Sequence, residues 1–176
     1  MDFFKPECQS GPFDQVQFGL CDDQNTTRAY VDTATPEKWV ATVKNPSQKA
    51  VTFTAIDKCV IQDGDEPTRG RCDGMLTTED LLYLVELKDQ KTNWQPHAIE
   101  QLASTIEFLR TRHTDLSRFR HKKVFACNKR HRAFVTLDNE FQRRFFKQYG
   151  FRIDLQATIL LVATANKPSA SHEAVS

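Results

Sequence analysis

The sequence predicts an α/β fold in which helices flank a mixed central sheet. Runs rich in β-branched and apolar residues at 51–62, 122–127 and 153–164 are typical of strands. Residues 97–110 carry apolar side chains at three- and four-residue spacing, the pattern of an amphipathic helix. With 176 residues, 39% of them apolar and 27% charged, the chain has the length and composition of one soluble globular domain.

The pattern divides the chain into three parts. Residues 1–34 are expected to form an N-terminal arm or extension whose phenylalanines dock on the core. Residues 35–165 are expected to form the α/β domain, beginning with a helix that Thr35 caps and that ends near Asn45. Residues 166–176 are expected to be a disordered tail, because they contain few groups able to join a core.

The middle of the domain predicts a strand, a hairpin, a helix, a strand, a second helix and a last strand. The hairpin lies within residues 71–89, after a turn at 63–70 that is rich in Asp and Gly. Asp138 is expected to cap the second helix and Gly150 to end it. A hairpin followed by a helix and a further strand gives a sheet with both antiparallel and parallel pairs.

Three charged residues lie close to the ends of the predicted hairpin strands: Asp73, Glu86 and Lys88. Side chains alternate along a strand, so Glu86 and Lys88 share a face with Leu82 and Leu84. The other face of this strand is wholly apolar or aromatic, which is typical of a strand covered on both sides. A charge at such a position is costly unless it is paired or bound to a metal. The alternative is a solvated strand end where Glu and Lys meet water.

Two carboxylates and an ammonium brought together on a sheet suit metal-dependent cleavage of phosphodiester bonds. Carboxylate oxygens bind hard divalent cations such as Mg²⁺ or Mn²⁺, so Asp73 and Glu86 are candidate metal ligands. The ammonium of Lys88 is placed to orient a water or a phosphate oxygen as charge develops.

The order of elements, with Asp73-Gly74 on the second core strand and Glu86-Leu87-Lys88 on the third, resembles the PD-(D/E)xK nuclease superfamily. That superfamily includes restriction endonucleases, RecB-type nucleases and Holliday-junction nucleases. The resemblance implies a restriction-endonuclease-like core over roughly residues 35–130, with Asp73 and Glu86 binding Mg²⁺ and Lys88 activating water. It also implies a nuclease or a nuclease-like subunit of a DNA-processing or phage-defence system.

Other positions match the superfamily less closely. Many members have a Gln on the helix after the third strand, and Gln101 matches that placement, although the Tyr that follows it in the RecB-like branch is missing. Glu37 would match an acid on the preceding helix, but a first-turn acid is also favoured by the helix dipole. Cys72 stands where the name-giving pattern has Pro. Some members of the superfamily have lost activity, so fold and catalysis are separate hypotheses.

The net charge of +1 conceals two segments of opposite sign. Residues 57–90 contain nine acids and four bases, whereas residues 110–132 contain nine Lys or Arg and one acid. Basic residues interleaved with phenylalanines suit a nucleic-acid backbone, with DNA as the expected form. The alternative is a solvated face or a surface for an acidic protein. The candidate nucleic-acid-binding residues are Arg118, Arg120, Lys122, Lys123, Lys129, Arg130 and Arg132.

The five cysteines are widely spaced and include no Cys-x-x-Cys pair, which argues against a zinc site or a disulfide framework. Cys59, Cys72 and Cys127 lie in strand-like runs and are expected to be buried thiols. Neither a membrane-spanning run nor a signal peptide is evident, so we expect a cytoplasmic protein with no membrane partner.

Three classes of function therefore remain open. The first is a metal-dependent nuclease. The second is a catalytically inactive accessory or interaction subunit with the same fold, which would have a protein partner or form a homodimer. The third, a small-molecule enzyme of another α/β type, has little support because the chain has no Gly-x-Gly-x-x-Gly, Walker or Gly-x-Ser-x-Gly motif. The sequence leaves DNA against RNA undecided.

Overall fold

The protein is mixed α/β, with two sheets and two helices, in a computed structural model that describes residues 1–162. No helix in that range is both long and apolar enough to span a membrane. The helices are α1 (Gln95–Arg112) and α2 (Asn139–Tyr149). The strands are β1 (Gln9–Phe13), β2 (Gln17–Cys21), β3 (Tyr30–Asp32), β4 (Ala41–Lys44), β5 (Val51–Ala55), β6 (Gly74–Thr77), β7 (Leu81–Lys88), β8 (His121–Asn128), β9 (Arg152–Leu155) and β10 (Thr158–Leu160).

The larger sheet has six strands in the order β1-β5-β6-β7-β8-β9. The pairs from β1 to β7 are antiparallel, whereas β7–β8 and β8–β9 are parallel. The two parallel connections carry the two helices, since α1 joins β7 to β8 and α2 joins β8 to β9. This arrangement confirms the predicted mixed sheet with helices on it. Every residue of β7 is buried, as expected for a central strand covered on both faces.

A second, four-stranded sheet in the order β10-β4-β2-β3 was not predicted. Residues 9–32, expected in an arm or extension, form β1 of the larger sheet and β2 and β3 of the smaller one. Apolar residues of both sheets belong to one continuous core. The N-terminal segment therefore contributes an edge strand to the larger sheet and two of the four strands of the smaller one.

The helix predicted from Thr35 to Asn45 is wrong. The chain forms only a short 3-10 turn at Pro36–Lys38 and then enters β4. Residues 39–43 contain two valines and a threonine, whose branched side chains favour a strand. Pairing of β4 with both β2 and β10 then outweighs the helix-start pattern.

The smaller sheet is covered at one point by Trp39. Its indole lies directly over Gly19 of β2, where an added Cβ would fall 2.0 Å from the ring. The indole Nε1 donates a hydrogen bond to Oδ2 of Asp32 at 2.7 Å. Gly19 is therefore required for close approach, and Trp39 is held at 5% exposure.

Two predicted strands are shorter than the sequence indicated. The run 51–62 is a strand only as far as Ala55, because the chain turns at Lys58, whose φ is +66°. The run predicted at 153–164 divides into β9 and β10, which belong to different sheets. Residues 163–164 of that run and the predicted tail at 166–176 lie outside the described residues.

The two helices confirm their predicted positions. Oδ1 of Asp138 accepts hydrogen bonds from the backbone N–H groups of Glu140 and Phe141, which caps α2. Gly150 ends α2 with a φ of +72°, a left-handed conformation that glycine adopts without strain. In α1, the buried residues include Leu102, Ile106 and Leu109 of the predicted apolar face.

The cysteine expectation is partly wrong. Cys8 and Cys59 form a disulfide that links the turn before β1 to the turn after β5. Cys72 and Cys127 are buried thiols, as predicted, and so is Cys21. Wide spacing in the sequence concealed the pair, because β1 and β5 become neighbours only through antiparallel pairing. Disulfides are rare in a reducing cytosol, so this pair does not support the cytoplasmic expectation, which stays a prediction.

Candidate active site

Strand register brings Asp73 and Glu86 together. Gly74 of β6 pairs with Val85 of β7, so the preceding residue Asp73 lies opposite Glu86. Opposite residues of antiparallel strands project their side chains to the same face. Asp73 directly precedes the first residue of β6, Gly74, so it lies at the entrance of the strand on which Asp73-Gly74 was expected. The end of the sheet that holds these residues, where β6 begins and β7 and β8 finish, is called the carboxylate end below.

Close packing fixes the position of Asp73. Oδ2 of its carboxylate accepts a hydrogen bond from the backbone N–H of Leu87 at 2.7 Å. The next residue, Gly74, has the ring of Phe53 directly against it, where an added Cβ would fall 2.4 Å from a ring carbon. Any larger residue at 74 would displace the ring or the strand, and with it Asp73.

Glu86 and Lys88 form an ion pair that is largely withdrawn from solvent. The ammonium Nζ of Lys88 lies 2.8 Å from Oε1 of Glu86. Glu86 is 2% exposed and Lys88 is 7% exposed. The alternative of a solvated strand end is therefore wrong for both residues, and burial of their charges has to be offset by pairing.

Gln101 reaches the same ion pair from α1. Its Oε1 accepts a hydrogen bond from Nζ of Lys88 at 2.5 Å, and its Nε2 donates to the backbone carbonyl of Arg71 at 3.3 Å. The structure thus brings together all four residues that the sequence singled out: Asp73, Glu86, Lys88 and Gln101. Their catalytic roles stay predictions.

Thr105 links α1 to the segment that precedes β6, and sequence reasoning missed it. Its hydroxyl donates to the carbonyl of Gln101 at 2.8 Å and accepts from the backbone N–H of Cys72 at 2.7 Å. The residue is fully buried. Thr105 lies off the apolar stripe of α1, so the periodicity of the helix did not predict its burial. Its hydroxyl can be buried because it both donates and accepts a hydrogen bond.

Burial strongly disfavours the ionised forms of both acids. Desolvation raises the pKa of Asp73 to about 7, and the hydrogen bond from the Leu87 N–H opposes that rise only in part. Desolvation, followed by the nearby charge of Asp73, raises the pKa of Glu86 well above its ordinary value. One ammonium therefore faces two carboxylates, that of the buried Glu86 and that of the partly buried Asp73, which leaves this site with an excess of negative charge when both are ionised.

The donor atoms of this site fit a magnesium ion. Oε2 of Glu86 is buried and has no hydrogen-bond partner in the described part of the chain. Carboxylate oxygens are preferred by hard cations, and Mg²⁺ commonly uses only one or two carboxylates while it keeps several waters. No group of three or more His, Cys, Asp or Glu side chains within residues 1–162 is arranged to hold a metal. The site therefore suits a partly hydrated ion and lacks the larger ligand set of structural zinc sites.

Two further carboxylates lie near the site and were not predicted. Asp22, directly after β2, and Asp57, after β5, both act on the pKa of Asp73 by raising it. Asp57 also forms an ion pair with Arg71, whose Nε lies 2.6 Å from Oδ1. Asp57 lies within the run predicted as a strand at 51–62, so its place after β5 could not be read from the sequence. Asp22 reaches the site only through the unpredicted smaller sheet.

The seven candidate nucleic-acid-binding residues do not form one patch. Strand β8 runs parallel to β7, so Lys129, Arg130 and Arg132 follow its exit at the carboxylate end. The other four, Arg118, Arg120, Lys122 and Lys123, precede or begin β8 at the opposite end of the sheet. Five strand residues, 124–128, lie between Lys123 and Lys129, which places the two groups roughly 20 Å apart along β8. Sequence proximity hid this division because a strand passes through the middle of the basic segment.

The three residues at the carboxylate end are partly engaged. Arg130 Nε lies 2.7 Å from Oδ1 of Asp89, and Arg132 donates to the backbone carbonyl of Trp39 at 2.9 Å. The backbone N–H of Lys129 donates to the carbonyl of Lys88 at 2.8 Å, which places Lys129 beside the site. Glu37 lies in the exposed turn before β4 instead of on a helix, so the structure gives it no helix from which to reach the site.

Comparisons of this chain with protein-family models, with curated proteins and with solved structures find no match. The interpretation of the site therefore depends on its own residues and geometry.

Proposed function

We propose that this protein is a metal-dependent nuclease that hydrolyses phosphodiester bonds in nucleic acid, with DNA as the expected substrate. In this proposal β5, β6, β7, α1 and β8 form a restriction-endonuclease-like core. The observation that carries it is the convergence of two carboxylates, an ammonium and an amide at one buried end of the sheet. A structural ion pair needs one acid and one base, whereas this site contains a second acid, Asp73, that forms no ion pair with any base of residues 1–162.

Asp73 and Glu86 are the residues that would hold Mg²⁺ or Mn²⁺. Such an ion, when bound, would supply Lewis-acid stabilisation of charge on the phosphate and a more acidic water. The unpartnered Oε2 of Glu86 supports this role, because a buried acceptor without a donor is costly in a purely structural network.

Lys88 is the residue that would orient the attacking water. An ammonium has three N–H donors, and two of them are directed at Glu86 and Gln101. The third is available for a water or for a phosphate oxygen on which negative charge develops. Gln101 is a positioning residue in this scheme, since it holds the ammonium through Oε1 and is itself held by the carbonyl of Arg71.

Basic side chains next to the site would hold the backbone of the substrate. Lys129 and Arg130 follow β8 within two residues of its end, beside Lys88. Contacts of this kind position a strand without reading its sequence. The opposing acids Asp89 and Asp57 limit the positive charge at this end, so binding here is expected to depend on the metal.

The proposal is tested by metal binding and cleavage in matched variants. Calorimetry with Mg²⁺ and Mn²⁺ is carried out on the wild type and on Asp73→Asn/Glu86→Gln, and cleavage of circular single- and double-stranded DNA and of RNA is measured. We expect the double variant to lose both metal binding and cleavage. The control Asp14→Asn/Glu79→Gln removes the same charge from exposed positions and should retain both. Equal cleavage by the site variant would overturn the proposal.

A second candidate function is a catalytically inactive nuclease-fold subunit that acts through a partner or a homodimer. The charged residues around the site are already paired with one another, which favours this second function. Lys88 is paired with Glu86, and Arg71 is paired with both Asp57 and Asp63. A groove of about 510 Å³ between α1 and α2, lined by Ile99 and Phe145 among others, offers apolar surface. This function predicts no Mg²⁺ binding, with or without nucleic acid, and a stable dimer or complex by light scattering.

A further inference from the structure

A continuous groove lies between β9 and α2, away from the candidate active site. Two neighbouring cavities of about 600 and 490 Å³ share Lys123, Phe146 and Arg152 in their linings. Because they have these three side chains in common, they form one groove. The name β9–α2 groove is used below for the surface formed by Arg120, Lys122, Lys123, Arg143, Phe146 and Arg152.

The lining of the β9–α2 groove is strongly basic. Among residues 1–162, it contains five Lys or Arg side chains and a single carboxylate, that of Asp154. Asp154 is already paired, since its Oδ2 lies 3.3 Å from Nζ of Lys123. The groove therefore presents a concave surface with excess positive charge, which attracts an anionic ligand.

Three guanidinium groups in this groove lack an acidic partner. Arg120, Arg143 and Arg152 are exposed, and no carboxylate of residues 1–162 lies within 4.0 Å of their nitrogens. By contrast, the neighbouring Arg144 on α2 lies 3.9 Å from Glu140. Guanidinium groups that are free of carboxylates can bind phosphate groups in a bidentate manner.

An exposed aromatic ring lies among these cations. Phe146 is 48% exposed, although the other aromatic residues of α2 form a ladder, Phe141, Phe145 and Tyr149, that packs towards the core. The guanidinium carbon of Arg152 lies 5.1 Å from the centroid of the Phe146 ring. A solvent-facing ring flanked by cations is the arrangement on which an unpaired base stacks while its phosphates are bound.

We propose that the β9–α2 groove binds single-stranded nucleic acid, with phosphates on Arg120, Arg143 and Arg152 and one base stacked on Phe146. A duplex buries the faces of its bases and would leave Phe146 without a partner. A lipid surface is flat, whereas these cations line a concavity. The chemistry is shared by DNA and RNA, and the experiment distinguishes the two.

The β9–α2 groove is separate from the carboxylate end. Lys123 pairs with Arg152 where β9 begins, five residues before β8 ends at Asn128. That length of strand corresponds to roughly 17 Å. Binding here needs neither a metal nor Asp73, so this inference can hold even if the protein cleaves nothing.

The test is fluorescence anisotropy with labelled 12-nucleotide oligo(dT) and oligo(rU) in EDTA, at 50 and 200 mM salt. We expect Arg143→Gln/Arg152→Gln to weaken binding at least about tenfold and to flatten the salt dependence, because two phosphate contacts are lost. Phe146→Ala should weaken binding about tenfold through lost stacking. Since all three residues are exposed, these variants should fold, and thermal melts confirm it.

Arg144→Gln is the matched control, because Arg144 follows Arg143 on the same helix but lines the α1–α2 groove instead. It should bind within about twofold of the wild type. Equal losses in this control, unchanged binding by Phe146→Ala, equally tight binding of the corresponding duplex, or no binding by the wild type at 50 mM salt would each overturn the inference. Stronger binding of oligo(dT) than of oligo(rU), or the reverse, identifies which nucleic acid the groove prefers.

Discussion

The two ends of the β7–β8 strand pair have opposite electrostatic character. At the carboxylate end, Glu86 and Lys88 are buried, paired and joined by Gln101 from α1. At the opposite end, Arg120 and Arg152 face solvent without acidic partners among the described residues. The same two parallel strands thus hold an enclosed polar network at one end and open positive charge at the other.

The sequence suggested one site for both cleavage and binding of nucleic acid, whereas the structure places suitable residues for these two tasks at opposite ends of the strands. Enclosed charges interact strongly because little water screens them, which suits chemistry at a fixed point. Exposed cations interact weakly with any one group but attract an extended anion through many contacts. The contrast favours cleavage at the carboxylate end and retention of a strand at the other. Variants at and around the carboxylate end test the first part, and oligonucleotide binding by the β9–α2 groove tests the second.

The largest effect is expected from Lys88→Ala. Removing the ammonium that would orient water should lower the rate of nucleic-acid cleavage about a thousandfold. The variant also leaves two acids without a base, so its melting temperature is measured alongside the cleavage rate. Lys44→Ala, at an exposed position on β4, is the control and should cleave normally. A folded Lys88→Ala protein with wild-type cleavage would contradict the assignment of chemistry to this end.

Loss of the disulfide should have the next largest effect. Cys8→Ser/Cys59→Ser should lower the free energy of unfolding by about 4 kcal/mol. The disulfide joins residues 51 positions apart, and a cross-link that closes so long a loop strongly restricts the unfolded chain. Urea unfolding measures the loss of stability. Hydrogen exchange should become faster mainly at the carboxylate end, where Cys59 follows β5. Reducing agent should destabilise the wild type equally and leave the variant unaffected. If reducing agent leaves the stability of the wild type unchanged, the protein does not contain this disulfide.

Asp73→Asn should raise stability by about 1–3 kcal/mol at pH 8 in the absence of metal. Burial raises the pKa of Asp73 to about 7, so the folded state holds a proton that the unfolded state has released. Stability at this site is therefore highest below the unfolded pKa near 4 and is lost as pH rises to about 7. The gain in Asp73→Asn should grow over that interval and then level off.

The corresponding measurement is urea unfolding of wild type and Asp73→Asn from pH 4 to pH 8. Saturating Mg²⁺ should reverse the difference, because only the ionised wild-type carboxylate binds the ion. Asp14→Asn, at an exposed position, is the control and should show no comparable pH dependence. A gain that does not change with pH would show that Asp73 is not the group whose ionisation is suppressed.

The smallest effect is expected from Thr105→Val. It removes the hydroxyl that joins Gln101 to Cys72 and should cost about 1–2 kcal/mol of unfolding free energy, because the buried N–H of Cys72 loses its acceptor. Thr111→Val removes a similar bond, from the hydroxyl to the carbonyl of Glu107, at an exposed position of the same helix. It should cost no more than about 0.5 kcal/mol. Equal losses would mean that Thr105 contributes only locally to α1.

The sequence predicted the part of the fold in which local pattern and tertiary structure agree. The residues that cap and end α2, Asp138 and Gly150, are adjacent to the helix in the sequence, and β7 has apolar residues on both faces. The grouping of Glu86 with Lys88 follows from strand alternation alone. Gln101 was predicted to lie near them only because it matches a Gln on the corresponding helix of the nuclease superfamily that the chain resembles.

The remainder depended on partners that are distant in sequence. The branched side chains within residues 39–43 favour a strand, but the pairing of β4 with β2 and β10 that outweighs the helix-start pattern cannot be read from the local sequence. The disulfide depends on β1 pairing with β5, and Asp22 reaches the site only through the smaller sheet. Division of the basic segment into two groups required knowing that β8 runs parallel to β7 through its middle.

The packing of Trp39 against Gly19 gives the protein a built-in optical probe. The chain has two tryptophans, and the second, Trp94, directly precedes α1, only six positions after Lys88. Both indoles are 5% exposed, so each should fluoresce at short wavelength in the folded state and shift to the red when its surroundings open. Replacing either one by Phe would leave a single tryptophan, in the smaller sheet or beside the carboxylate end. Ordering of one region without the other could then be followed in real time as substrate or metal is mixed with the protein.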